Sequence, residues 1–190
     1  MRAIETRRWT REEYERMATT GIFGPEERLE LIDGEILTVT PQGSAHATAV
    51  HLAAKALAAA FGGGFYIRIH APLALDDASE PEPDVAVVSG SERDYSAAHP
   101  TSALLVVEVS DATLQHDRKR KGSLYARAGI PEYWIVNVIE RRLEVFRNPV
   151  MSSEAPLGWR YGWQAEFQAE DSVRPLRASA TEIAVSDLIP

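Results

Sequence analysis

The sequence predicts a single α/β domain with a central mixed β-sheet flanked by helices, and three observations carry that expectation. The chain has 190 residues, about one domain's length. Helical and strand-like patterns alternate along it, in the order helix, hairpin, helix, strands, helix, strands. A strand–helix–strand unit over 103–138 has the length of a crossover, which joins parallel neighbours in one sheet. One domain over 1–190 is expected, with a core at about 10–147 and a strand-rich extension over 150–190.

Each element has its own local reason. Thr10 and Glu13 fit a capping box, and Tyr14 and Met17 follow at helical spacing, so 10–19 reads as a helix. Gly21, Gly24 and Pro25 end it. Leu29-Glu30-Leu31-Ile32 and Glu35-Ile36-Leu37-Thr38-Val39 flank Asp33-Gly34, a strong hairpin signal because both turn residues accept positive φ. Ser44 is expected to cap an alanine-rich helix to Phe61, stopped by Gly62-Gly63-Gly64. Strands are expected at 65–69, 84–88 and 103–109, the last with an apolar run, Leu104–Val107, that suggests burial on both faces. A helix over 114–128 closes at Gly129-Ile130-Pro131. Paired strands over 133–138 and 143–146 follow, then a strand over 160–167 and a short strand or turn over 183–188. That totals about five to seven strands in the sheet.

Composition excludes several classes. Hydrophobic residues at 45% and charged residues at 25% are globular proportions, not those of a disordered chain. No cysteine is present, so disulfides, thiolate metal sites and cysteine nucleophiles are excluded. Acids outnumber bases 28 to 20, for a net charge of −8; a uniformly basic nucleic-acid binder is excluded, a local basic patch is not. No apolar run approaches the roughly 18 residues of a membrane span. The first nine residues lack the apolar core of a signal peptide. A cytoplasmic location without membrane association is expected.

Three carboxylates lie in or beside apolar strands. Glu108 follows Leu104–Val107, and burying it ionised costs several kcal/mol (about 3–5) unless it meets a partner or a metal; a structural ion pair is the alternative. Asp84 opens another apolar strand after Pro83, where a turn-forming role is the alternative. Alternation puts Glu30 on the face opposite Leu29 and Leu31, and a solvated hairpin face explains it equally well. The run His116-Asp117-Arg118-Lys119-Arg120-Lys121 holds two of the three lysines of the chain. It reads as a solvated helix face, or as a basic patch. Residues 117, 121, 125 and 128 share one helix side, so Lys121 is directed along the sheet toward the end of the strand that carries Glu108. Converging carboxylates suit Mg²⁺, and an adjacent lysine suits charge stabilisation during phosphodiester hydrolysis.

Pro83-Asp84-Val85, Val107-Glu108-Val109-Ser110, Asp117-Arg118-Lys119-Arg120-Lys121 and Tyr125-Ala126-Arg127-Ala128-Gly129-Ile130-Pro131-Glu132-Tyr133-Trp134 resemble the Uma-two family of putative restriction endonucleases, within the PD-(D/E)xK nuclease superfamily. The hairpin 29–35 and the Pro41…His46 helix entry fit the same pattern. The resemblance implies a restriction-endonuclease-like fold and Mg²⁺- or Mn²⁺-dependent hydrolysis of DNA. It implies Asp84 and Glu108 as catalytic metal ligands and Glu30 as an additional metal-binding carboxylate. Ser110 stands where the superfamily carries its lysine, and Lys121 on the following helix matches instead. Arg118, Lys119, Arg120 and Arg68 are candidate phosphate contacts. His46 is a candidate at the edge of the site, with capping or core packing as its alternative. A homodimer is expected, since cutting a duplex needs two sites; Trp159, Tyr161, Trp163 and Phe167 are either its surface or a core strand. A catalytically inactive nuclease-fold module that binds nucleic acid or protein is the alternative function.

Overall fold

The computed structural model describes residues 5–24, 26–39, 42–178 and 180–190. Pro25 and Pro41, read above as a helix stop and a helix entry, lie outside the described residues. The first helix, α1 (Arg11–Thr19), starts at the expected capping box, with the Thr10 hydroxyl accepting from the Glu13 N–H. Its buried Tyr14 donates its hydroxyl to the Leu29 carbonyl at 2.9 Å, fixing the helix against the next element. Strands β1 (Leu29–Ile32) and β2 (Glu35–Thr38) form an antiparallel hairpin. Asp33 and Gly34 take φ of 51° and 75° at its turn, as a tight hairpin requires. The hairpin is pinned to the main body where the Glu80 N–H donates to the Leu31 carbonyl at 2.7 Å.

Helix α2 (Ser44–Phe61) begins one residue earlier in its cap than expected. Gly43 is the N-cap and no side chain caps the helix, so Ser44 is its first residue. Gly62, at φ 64°, ends it. Six strands make the central sheet in chain order: β3 (Phe65–Ile69), β4 (Val85–Ser89), β5 (Leu105–Ser110), β6 (Glu132–Asn137), β7 (Arg142–Met151) and β8 (Trp159–Gln168). All neighbours are antiparallel except β5 and β6, the parallel pair expected of the 103–138 crossover. Every residue of β5 and β6 is buried, because helices and connecting segments cover both faces. One face packs on α2 and on Val173, Ile183, Val185 and Leu188. The other packs on Leu73, Tyr125 and Ile130.

The crossover helix is not uniform. α3 (Leu114–His116) runs into a wide π turn over Asp117–Lys121, where the Gly122 N–H bonds the Asp117 carbonyl, and α4 (Gly122–Arg127) completes it. Strands β7 and β8 exceed the expected 143–146 and 160–167 because their far halves form a hairpin beyond the core. The end of the chain contributes β9 (Ser172–Val173) and β10 (Ile183–Ala184), a separate antiparallel pair, then a 3₁₀ turn over Val185–Asp187. Of the aromatic residues weighed as a dimer surface, Tyr161 stacks on Tyr133 and Phe167 packs against the core. Trp163 is 42% exposed and lies under the Arg147 guanidinium.

Candidate functional site

Strand register brings the first part of the site together. β3 and β4 pair Ile69 with Val85, so the next step sets His70 beside Asp84, and the His70 N–H donates to the Asp84 carbonyl at 3.2 Å. β4 and β5 pair Val85 with Val107, which sets Asp84 against the Glu108–Val109 step. There the Val109 N–H donates to Asp84 Oδ2 at 2.8 Å, and the Asp84 N–H faces Glu108 Oε2 at 3.4 Å. The first turn of α2 lays His46 over the same point. Asp84 Oδ1 lies 3.2 Å from His46 Nε2, 3.1 Å from His70 Nε2 and 3.0 Å from Gln42 Nε2.

The second part comes from the hairpin and the crossover helix. Lys121 Nζ donates to Glu108 Oε1 at 3.0 Å and to Glu30 Oε1 at 3.1 Å. The Tyr125 hydroxyl, one turn further on, also donates to Glu108 Oε1, at 2.6 Å. Glu30, Asp84, Glu108 and Lys121 are all buried. The solvated-face alternative for Glu30 therefore fails: β1 is covered on the Glu30 side by the crossover helix.

Burial and charge shift these groups in opposite directions. Burial pushes the Glu108 carboxyl up to about 8, against the pull of Lys121 and with the help of the Asp84 charge. Burial likewise opposes ionisation of Asp84, but hydrogen bonds from His46 and His70 outweigh it and hold the carboxyl well below the usual range. Lys121 loses hydration through burial, yet the Glu108 and Glu30 carboxylates raise it above the ordinary lysine value. The lysine is thus a fixed cation among carboxylates, not a proton acceptor.

The other candidates separate. The π turn sends alternate members of the basic run in different directions. Arg118 makes a two-pronged pair with Glu144 on β7, both contacts at 2.7 Å. Arg120 is bound to Glu35 and to the Ile32 carbonyl on the hairpin. Neither lines the cavity, and both are paired with carboxylates. Lys119 is exposed and forms no ion pair among the described residues. Arg68 is buried between Tyr66 and Tyr95, its Nη2 near the Pro72 carbonyl and His99. His70, Gln42 and the Tyr125 hydroxyl are site groups that sequence reasoning missed. A β3–β4 register would have found His70, since pairing 69 with 85 puts 70 opposite 84.

Glu30, Gln42, His46, Asp84, Glu108 and Lys121 line a cavity of about 350 Å³, and His70 and Tyr125 approach Asp84 and Glu108 from outside its lining. Its wall holds six carboxylates, from Glu30, Glu82, Asp84, Glu108, Asp111 and Asp117, against the cations Arg28 and Lys121. Glu30 Oε2 is buried there with no hydrogen-bond partner. His46, His70 and Asp84 bring three potential ligand atoms within 4.8 Å of one another. A divalent cation fits the His46, His70 and Asp84 donor set and would offset the excess of acids; Glu30 is not one of those three ligands. No described helix is long and apolar enough to cross a membrane.

Comparisons with known proteins bear on the family and the fold. A family model described as "Uma2: Putative restriction endonuclease" matches residues 11–170. Among solved structures, a crystal structure of a putative nuclease belonging to DUF820 from Anabaena variabilis aligns with a TM-score of 0.69. It shares 15% identity over 94% of this chain and 96% of that one, which establishes a common fold. No curated protein matches.

Proposed function

We propose, for a chain that belongs to the Uma2 family of putative restriction endonucleases, a DNA endonuclease dependent on Mg²⁺ or Mn²⁺. The observation that carries this reading is the buried ammonium of Lys121, 3.0 Å from Glu108 and 3.1 Å from Glu30, with Asp84 alongside. Asp84 and Glu108 would hold the ion, with Glu30 adding the oxygen that lacks a hydrogen-bond partner. A divalent ion there supplies an acidified water and a polarised phosphodiester. Lys121 contributes a permanent positive charge where negative charge develops on the phosphate. Its pairing with two carboxylates fixes that charge in position before substrate arrives. Tyr125 holds Glu108 in its rotamer through the 2.6 Å hydrogen bond. His46 and His70 keep Asp84 ionised.

A cavity so rich in acid repels DNA until an ion is present, so the ion also serves substrate binding. Lys119, exposed and without an ion pair among the described residues, is the phosphate contact retained from the basic run. We further propose that the enzyme works in the cytoplasm as a homodimer, one site for each strand. The position of Lys121 favours a catalytic protein over an inactive module, because a binding scaffold needs no buried ammonium between two carboxylates.

Calorimetric titration with Mg²⁺ and Mn²⁺, with plasmid nicking followed on the same samples, tests the reading. Wild type should bind an ion and nick plasmid; Glu108→Gln should lose both. Lys121→Met should still bind the ion while nicking falls by about 100-fold or more. Wild-type protein that binds no ion at millimolar concentration would overturn the proposal.

A further inference from the structure

We propose that His46, His70 and Asp84 form a nitrogen-bearing ion site that takes Mn²⁺ in preference to Mg²⁺. The proposal rests on the ion-dependent reading above and narrows it, since it names the ion and assigns two imidazoles as its ligands.

The argument begins with one crowded oxygen. Asp84 Oδ1 has three nitrogen neighbours, at 3.2 Å from His46, 3.1 Å from His70 and 3.0 Å from Gln42. A carboxylate oxygen offers about two lone-pair directions, yet three nitrogens crowd this one, and Gln42 Nε2 also lies 3.0 Å from His70 Nε2. The same spacing is natural for ligands. Adjacent donors on an ion with bonds of roughly 2.1–2.2 Å lie about 3.0–3.1 Å apart. Half a turn of the Gln42 amide brings its carbonyl oxygen toward the same point and adds a fourth ligand.

The backbone supports this reading independently. His70 has φ of 45°, a left-handed conformation uncommon outside glycine and somewhat less so for histidine, asparagine and aspartate. The chain bears that cost at the one residue whose ring meets Asp84 from the β3 side. Three separate segments, the first turn of α2, the end of β3 and the approach to β4, deliver one donor each. Imidazole suits transition-metal ions, whereas Mg²⁺ favours oxygen ligands and keeps its waters. Two rings on a single carboxylate therefore select against Mg²⁺.

The test uses the whole chain and MnCl₂ alone, with free Mn²⁺ followed by electron paramagnetic resonance and no DNA present. Wild type should bind one Mn²⁺, and Mg²⁺ at about 100-fold excess should displace little of it. Nitrogen modulation in the pulsed spectrum should report directly bound imidazole. His70→Asn, chosen because asparagine tolerates the left-handed backbone, should weaken Mn²⁺ binding about 10- to 100-fold, and His46→Gln should do likewise. Absence of nitrogen modulation in wild type overturns the proposal without recourse to a variant. Unchanged affinity in both variants, or displacement by equimolar Mg²⁺, overturns it as well. The two readings fail separately. Imidazole-bound Mn²⁺ with no plasmid nicking defeats the nuclease and leaves this site; nicking with histidine-independent ion binding does the reverse.

Discussion

Lys121 Nζ donates to two buried carboxyl groups at once, so its removal leaves both Glu30 and Glu108 buried without that cationic partner. Breaking a buried pair from one side costs about 3–5 kcal/mol. Lys121→Met should lose about that much in urea unfolding, and adding Glu30→Gln should restore part of it by removing one stranded charge. A double variant as unstable as the single one would show that Glu30 and Lys121 do not act as a pair. Glu80 makes a different statement. Burial, together with the like charge of the neighbouring Glu15, raises it from the ordinary 4.5 to about 7. A carboxyl whose folded value lies above its unfolded value supports stability below 4.5 and loses that support as pH rises through 7. The wild type should therefore lose about 1–3 kcal/mol between pH 4.5 and pH 8 through this group. Glu80→Gln should flatten that part of the profile in thermal melts across the range, and an unchanged slope would remove Glu80 as its source.

The elements divide according to whether their chemistry is local. The capping box at Thr10, the Asp33-Gly34 turn and the glycine after Phe61 are short-range features, and each stands where the sequence puts it. The apolar runs of β5 and β6 were legible because both faces are covered. The outer half of the β7–β8 hairpin was not, because few of its positions are buried and the two-residue period fades. The π turn over Asp117–Lys121 has no residue signature, since it is a backbone insertion that the helical wheel does not represent. Lys121 nonetheless lies on the face shared with Asp117 and Tyr125, all three buried. The arginines between them could not be placed in the same way, and their carboxylate partners are 26 and 85 residues distant. That difference yields a paired test. Arg118→Ala should cost about 1–3 kcal/mol of stability, because it strips a two-pronged partner from Glu144. It should leave the salt dependence of DNA binding unaltered. Lys119→Ala should leave stability within about 0.5 kcal/mol and lower the salt slope by about one. The opposite pattern would return Arg118 to the phosphate contacts.

On the scale of the whole molecule, the net charge of −8 and the acid-lined cavity have one origin and one consequence. Carboxylates gathered around the ends of β4 and β5 repel one another, and among the described residues Arg28 and Lys121 answer them within the cavity. The folded chain therefore stores electrostatic cost that a bound divalent cation would relieve, whereas the unfolded chain disperses the same acids and would bind the ion weakly. Ligand linkage converts that difference into stability: at 100 times the dissociation constant, an ion confined to the folded state adds about 2.7 kcal/mol. For a chain of this size each kcal/mol shifts the melting temperature by about 2–4 °C. Saturating Mn²⁺ should therefore raise the melting temperature by about 5–10 °C over protein in EDTA. Asp84→Asn, which removes the charge at the meeting point of β3, β4 and β5, should abolish most of that increment. The variant should also lose less than wild type when EDTA is added, because its folded state no longer depends on the ion. A melting temperature indifferent to Mn²⁺ in the wild type would mean that the acids are reconciled by Lys121 and Arg28 alone, and the cavity would then have no call for a cation.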